Sequence, residues 1–143
     1  MKEGSPRILV IDGQGGKLGR QLVKAISERF PQEELVAVGT NSAATANLLK
    51  GGAQRGATGE NAVLVACRRA DIIVGPVGIV VADSLMGEVT PAMAAAVGQS
   101  QAVRILVPIN RCETLIAGVS GVPASRLLED AMDKIQGVLE GTL

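Results

Sequence analysis

The sequence predicts an α/β protein, a three-layer Rossmann-like fold with a mostly parallel sheet of about five strands. Three observations predict it. Short β-branched runs alternate with segments of helical spacing along the whole chain, the pattern of a parallel sheet covered on both faces. A glycine-rich string, Gly13-Gln14-Gly15-Gly16-Lys17-Leu18-Gly19, falls directly between the first strand and the first helix. The composition is 47% hydrophobic with a mean hydropathy of +0.32 and rich in Ala, Val and Ile, as buried parallel strands require.

Each element has its own local reason. Residues 7–12 (RILVID) form a β-branched run closed by Gly13, a first strand. From Gly16 to Phe30 the spacing turns helical, with Leu18, Leu22, Ile26 and Phe30 four residues apart, and Pro31 stops it. Residues 34–39 (ELVAVG) make a second strand. Ser42 is expected to cap a helix through Lys50 that the Gly51-Gly52 pair ends. Thr58 is expected to cap a short helix over about 60–69. Residues 71–75 (DIIVG), closed by Pro76, read as a third strand. The run 77–86 is apolar except for Asp83 and Ser84, and helix and strand both stand open there. Thr90-Pro91 is a helix start, cap then first-turn proline, for an Ala-rich helix ending at Gly98. A fourth strand is expected at 103–109 and a fifth at 114–119 (TLIAGV). The last helix, about 124–139, places Leu128, Ala131, Met132, Ile135 and Leu139 on one face. No linker, repeat or low-complexity segment divides the 143 residues, so one domain over 1–143 is expected.

Composition excludes several chemistries. The chain has no His, Trp or Tyr, and Phe30 is its one aromatic residue. Imidazole acid–base catalysis, Ser-His or Cys-His nucleophiles and His-ligated metals are therefore absent, as is a Tyr-Lys pair. Bases have no aromatic platform to stack on. Lys+Arg and Asp+Glu both number 14, so no basic footprint points to nucleic acid or an anionic membrane. The two cysteines, Cys67 and Cys112, have no metal-ligand spacing and form no secretory framework. The first residues, MKEGSPR, lack the apolar core of a signal peptide, and the longest apolar run is too short to span a bilayer. A cytoplasmic protein is the expectation. The high apolar content also suggests a homo-oligomer with part of its surface in a subunit interface.

The candidate site is a set of small-residue loops. Glycines spaced as in 13–19 let main-chain amides approach a phosphate, and the following helix adds a partial positive charge. The spacing G-x-G-G-x-x-G stretches the dinucleotide fingerprint by one residue. Gly39-Thr40-Asn41-Ser42 stands where that fingerprint wants an acidic residue for the ribose, so polar side chains there replace the usual carboxylate. Lys17 is not followed by Ser or Thr, which excludes a Walker loop. The alternative is a tight turn in which the glycines serve packing alone. Gly56-Ala57-Thr58-Gly59-Glu60-Asn61 reads either as an anion nest made by Thr58 and the two glycines, with Glu60 beside it, or as a capped turn whose Glu60 favours the helix dipole. Gly75-Pro76-Val77-Gly78 follows the third strand and is expected at the same sheet edge as the first loop, either as part of a groove or as close helix–sheet packing. Asp12 ends the first strand, where a carboxylate meets a ribose or orders the turn. Asp83 must be paired, protonated or exposed. Cys112, beside Arg111 and after Asn110, reads as a surface thiol.

The strings IDGQGG, VGTNSAAT, GATGEN, DIIVGPVGIV, GEVTP and ILVPIN resemble a family of short bacterial proteins catalogued only as a domain of unknown function. The resemblance covers nearly the whole chain. It implies a stand-alone bacterial cytoplasmic protein and brings no activity with it. The functional expectation is thus a nucleotide- or dinucleotide-binding module, NAD or NADP included, that takes a small phosphate-containing ligand. The alternatives are an enzyme acting on a phosphorylated or nucleotide substrate, with Asp12, Lys17 and Glu60 as its polar actors, and a structural interaction protein using 77–86 as its interface.

Overall fold

The structure, a computed structural model, describes residues 6–109 and 114–143. Five strands run parallel: β1 (Arg7–Asp12), β2 (Glu34–Gly39), β3 (Arg55–Thr58), β4 (Ile72–Pro76) and β5 (Val103–Val107), in the spatial order β3-β2-β1-β4-β5. Five helices connect and follow them: α1 (Lys17–Arg29), α2 (Ser42–Gly51), α3 (Glu60–Arg69), α4 (Pro91–Gln99) and α5 (Ala124–Glu140). A short 3-10 turn, Val77–Val80, follows β4. The expected three-layer α/β fold is what the chain forms, and all five strands of its sheet are parallel.

Period-two alternation along the strands divides the core in two. Ile8 and Val10 of β1, Ile72 and Val74 of β4, and Ile105 and Val107 of β5 face α1 and α5 in one cluster. Leu9, Ile11 and Ile73 face Val63, Met93 and Val97 of α3 and α4 in the other. The central strands are buried on both faces, which is why they read as unbroken apolar runs. Leu22 and Ile26 of α1 are fully buried, and each such side chain contributes roughly 1.5–3 kcal/mol by leaving water.

Several local expectations are corrected. The second helix is capped by Asn41, whose Oδ1 accepts the Ala44 amide at 2.8 Å, and Ser42 is its exposed first residue. Asn41 has the extended backbone that a cap needs and Ser42 already the helical one. Thr58 is the last residue of an edge strand, and Gly59, at φ 100°, precedes α3 in its place. Arg55–Thr58 is short and exposed throughout, so no apolar alternation announces it. The fourth expected strand stops at Val107, before Pro108. No strand forms at 114–119. Leu115 is 92% exposed there, and Gly118 turns the chain with φ 86° where a strand would need extended backbone. Asn110, Arg111 and Cys112 lie outside the described residues. The run 77–86 is neither α-helix nor strand: its first four residues are the 3-10 turn, consecutive turns follow, and Ile79 and Leu85 are buried in the protein's own core. Asp83 is exposed.

Among the described residues, no helix is long and apolar enough to cross a membrane. Because every strand is parallel, the loops after Asp12, Gly39, Thr58 and Pro76 emerge at one edge of the sheet. Between β1 and β4 the strand order reverses direction, the place where open α/β sheets leave a crevice.

Candidate functional site

The loop after β1 is held from beneath by a buried carboxylate. Asp12 is 3% exposed; its Oδ1 accepts the Gly13 amide at 2.8 Å and its Oδ2 the Gly19 amide at 2.6 Å. Burial pushes its pKa up, the two amides pull it down and the nearby Glu88 pushes it up again, with a net rise. Both oxygens face main chain, so Asp12 shapes the loop from inside the protein.

Most of the glycines in the string answer to packing. A Cβ on Gly13 would meet Thr40, Leu85 Cδ1 at 2.9 Å and Glu88 Oε1 at 3.0 Å. Gly16 has φ 73° and lies against Ala44 of α2, while Gly19 lies against Leu48 and Asp12. Gly15 differs: nothing lies within 4 Å of the position its Cβ would take, and the residue is exposed. Gln14 has φ 50°, a left-handed conformation unusual for a residue with a side chain. Asn47 donates to the Gly15 carbonyl, and the Gly16 amide closes the turn onto the Gly13 carbonyl at 2.9 Å. The amides of Gly15, Lys17 and Leu18 have no acceptor among the described residues. Lys17 is exposed beside them and makes no ion pair among the described residues.

The Gln14 amide is occupied, and its occupant is a residue the sequence reading passed over. Glu88 Oε1 accepts from Gln14 N at 2.8 Å, from the Thr40 hydroxyl at 2.6 Å and from Asn41 Nδ2 at 2.9 Å. Asn41 Nδ2 also donates to the Gln14 carbonyl at 2.9 Å, which ties the end of β2 to the loop after β1. One carboxylate oxygen thus collects three donors from two loops, and Glu88 Oε2 has no donor among the described residues. Desolvation pushes the Glu88 pKa up, but the bonds from Thr40, Gln14 and Asn41 outweigh it, and the net shift is downward. A carboxylate thus reaches the end of β2 from the loop that precedes α4. The signal available in the sequence was position: Glu88 stands just before the Thr90-Pro91 helix start, in a loop that a parallel topology brings to the same edge.

The other expected site residues divide. Thr40 and Asn41 join the cluster around Glu88. Gly39 packs tightly on Thr45 of α2, Gly75 on the Ile11 carbonyl and Gly78 on Ser84, and Pro76 is buried, so these read as close packing. The Thr58 hydroxyl lies 2.7 Å from that of Thr45, and Thr45 also reaches the Ala57 carbonyl. Glu60 Oε1 accepts the Thr90 hydroxyl at 2.8 Å, and the same Thr90 oxygen caps α4 by accepting the Met93 amide at 3.1 Å. Ser42 and Asn61 are exposed. Cys67 is buried in the core, with its thiol pushed up to about 11 by desolvation, which makes it a poor nucleophile. No group of three or more metal-ligating side chains forms among the described residues.

The family model described as Domain of unknown function (DUF3842) matches residues 7–140. The chain belongs to this family. The match runs from the first residue of β1 to the last of α5, so the DUF3842 domain includes both the donor cluster and Glu88. No curated protein and no solved structure matches the chain.

Proposed function

We propose that the chain is a binding module for a small phosphate-containing ligand, of nucleotide or dinucleotide type with NAD and NADP included, held at the carboxyl edge of the sheet over the loops that follow β1 and β2. One observation carries the reading: three donors from two loops, the Gln14 amide, the Thr40 hydroxyl and the Asn41 side-chain amide, converge on a single anionic oxygen. Such a convergence is favourable for an anion because charge-assisted hydrogen bonds are about twice as strong as neutral ones. The open Gly15, the exposed Lys17 and the first amides of α1 extend the same patch and suit a second charged group, as the two phosphates of a dinucleotide would supply. No His, Tyr or reactive thiol stands beside the patch among the described residues, and Asp12 is turned inward; binding is therefore favoured over turnover. The reading treats the protein as a cytoplasmic, homo-oligomeric bacterial one, the oligomer in keeping with the apolar composition.

The test is a thermal-shift panel of NAD, NADP, ATP, GTP, ADP and sugar phosphates at millimolar concentration, run on the wild-type protein and on Glu88→Ala. At least one compound should raise the melting temperature, and Thr40→Val should reduce that rise. A panel silent on both proteins would end the reading.

A further inference from the structure

The residues that carry Glu88 to the loop form an unusual segment. Between the 3-10 turn and α4, Asp83, Leu85 and Met86 all take left-handed backbone, with φ of 67°, 54° and 57°, and Gly87 follows at 88°. Side chains disfavour that conformation, so a stretch holding three of them persists only where its surroundings enforce it. The enforcing contacts can be named. The Asp83 amide donates to the Val89 carbonyl at 2.7 Å and the Val89 amide to the Ser84 carbonyl at 3.2 Å, closing 83–89 into a loop. Ser84 donates its hydroxyl to the Gly78 carbonyl. Leu85 is 2% exposed and reaches over both Gly13, just past β1, and Gly78, in the 3-10 turn that follows β4. Beyond Leu85 the loop turns outward, leaving Met86 93% exposed, and then returns to deliver Glu88 to Gln14, Thr40 and Asn41. The segment therefore crosses the crevice, anchored by apolar contact in the middle and by a carboxylate at its far end.

We infer that residues 81–89 are a self-inhibitory strap, in which Glu88 occupies the position of a ligand's anionic oxygen and must be displaced for the ligand to bind. The inference rests on the anion-site reading above. Its physical basis is competition: the Gln14 amide has one hydrogen to give and the Thr40 hydroxyl likewise, so a phosphoryl oxygen and Glu88 cannot both hold them. A second negative charge beside an ionised Glu88 is also repelled, which discriminates against ligands too weak to move the strap. The apparent affinity of the wild-type protein is then its intrinsic affinity reduced by the small fraction of molecules with the strap released.

Calorimetric titration with ADP, with inorganic phosphate as the minimal anion, tests this on wild type, Glu88→Ala and the near-isosteric Glu88→Gln. The expected result is at least tenfold tighter ADP binding by Glu88→Ala, with Glu88→Gln also tighter than wild type because it removes the repelling charge. Hydrogen exchange supplies a second readout: ADP should speed exchange of wild-type amides in 83–88, and Glu88→Ala should speed exchange of the Gln14 amide without any ligand. Wild-type binding of ADP that neither variant improves, with exchange in 83–88 unchanged, would overturn the strap and leave the anion site standing. No ADP or phosphate binding by any of the three proteins would overturn both. If Glu88→Ala fails to fold, the Glu88→Gln titration and the wild-type exchange decide the matter.

Discussion

The Thr40 hydroxyl donates to Glu88 Oε1 at 2.6 Å, joining the end of the second strand to a loop 48 residues further along the chain. With the Gln14 and Asn41 bonds to the same oxygen, this contact locks three separate segments at the carboxyl edge of the sheet. At that edge one carboxylate holds donors from two loops together.

Because hydrogen bonds to Glu88 favour its ionised form more than burial opposes it, its pKa lies below the ordinary glutamate value in the folded chain. The unfolded chain then binds a proton at higher pH than the folded one. The stabilisation is complete above the ordinary glutamate value and is lost as pH falls through the lowered one. Urea unfolding followed from neutral pH down through the carboxylate range should show this as a falling acid limb, and Glu88→Gln should flatten part of that fall. At neutral pH the same substitution should cost about 1 kcal/mol, since Glu88 is only partly buried and the amide oxygen of Gln still accepts. An acid limb identical in the two proteins would show that the Glu88 contacts do not persist in solution.

Asp12 is a stricter case. Two buried main-chain amides, those of Gly13 and Gly19, each use one of its oxygens. Asn has one oxygen and one NH2 group, so Asp12→Asn leaves an amide facing a donor. The expected cost is about 2 kcal/mol, within the range for an unsatisfied buried group, read as a lower urea midpoint with the slope unchanged. A neutral outcome would mean that the loop rearranges easily, and with it the geometry around Gln14.

The glycines offer an internal comparison. A methyl group on Gly19 would press into Leu48 and lie 2.7 Å from Asp12 Cβ, so Gly19→Ala should destabilise by about 1–3 kcal/mol through overpacking. On Gly98, in the exposed last turn of α4, a methyl group meets nothing within 4 Å, and Gly98→Ala should stabilise by roughly 0.5 kcal/mol through reduced backbone entropy of the unfolded chain. Thermal melts of the two variants should move in opposite directions. Equal shifts would show that the contacts around Gly19 are looser than this packing requires.

Nearest-neighbour chemistry made much of the architecture legible. The buried strands, the helix after Gly16 and the Thr90-Pro91 start are written in residues at most a few positions apart, and each is where the spacing placed it to within a residue or two. Where local signals misled, a tertiary requirement had decided. TLIAGV at 114–119 has strand-like residues, but no strand forms there. Arg55–Thr58 has poor ones, yet it pairs with β2 in register from Val36↔Arg55 to Gly39↔Thr58. A strand exists through its ladder of hydrogen bonds, and whether a neighbour is present is not a local property.

The site divides along the same line. That a glycine-rich loop would open at the carboxyl end of the first strand followed from the sequence alone, because glycine's freedom of backbone and a strand–helix junction are both local facts. That most of those glycines serve packing, and that the loop's amide is held by Glu88, came only with the folded chain. Gln14 and Glu88 are 74 residues apart, and periodicity carries no information over such a distance. It is the common direction of all five strands that delivers both residues to one edge, and the charge on Glu88, short of protons and rich in donors, that keeps them together.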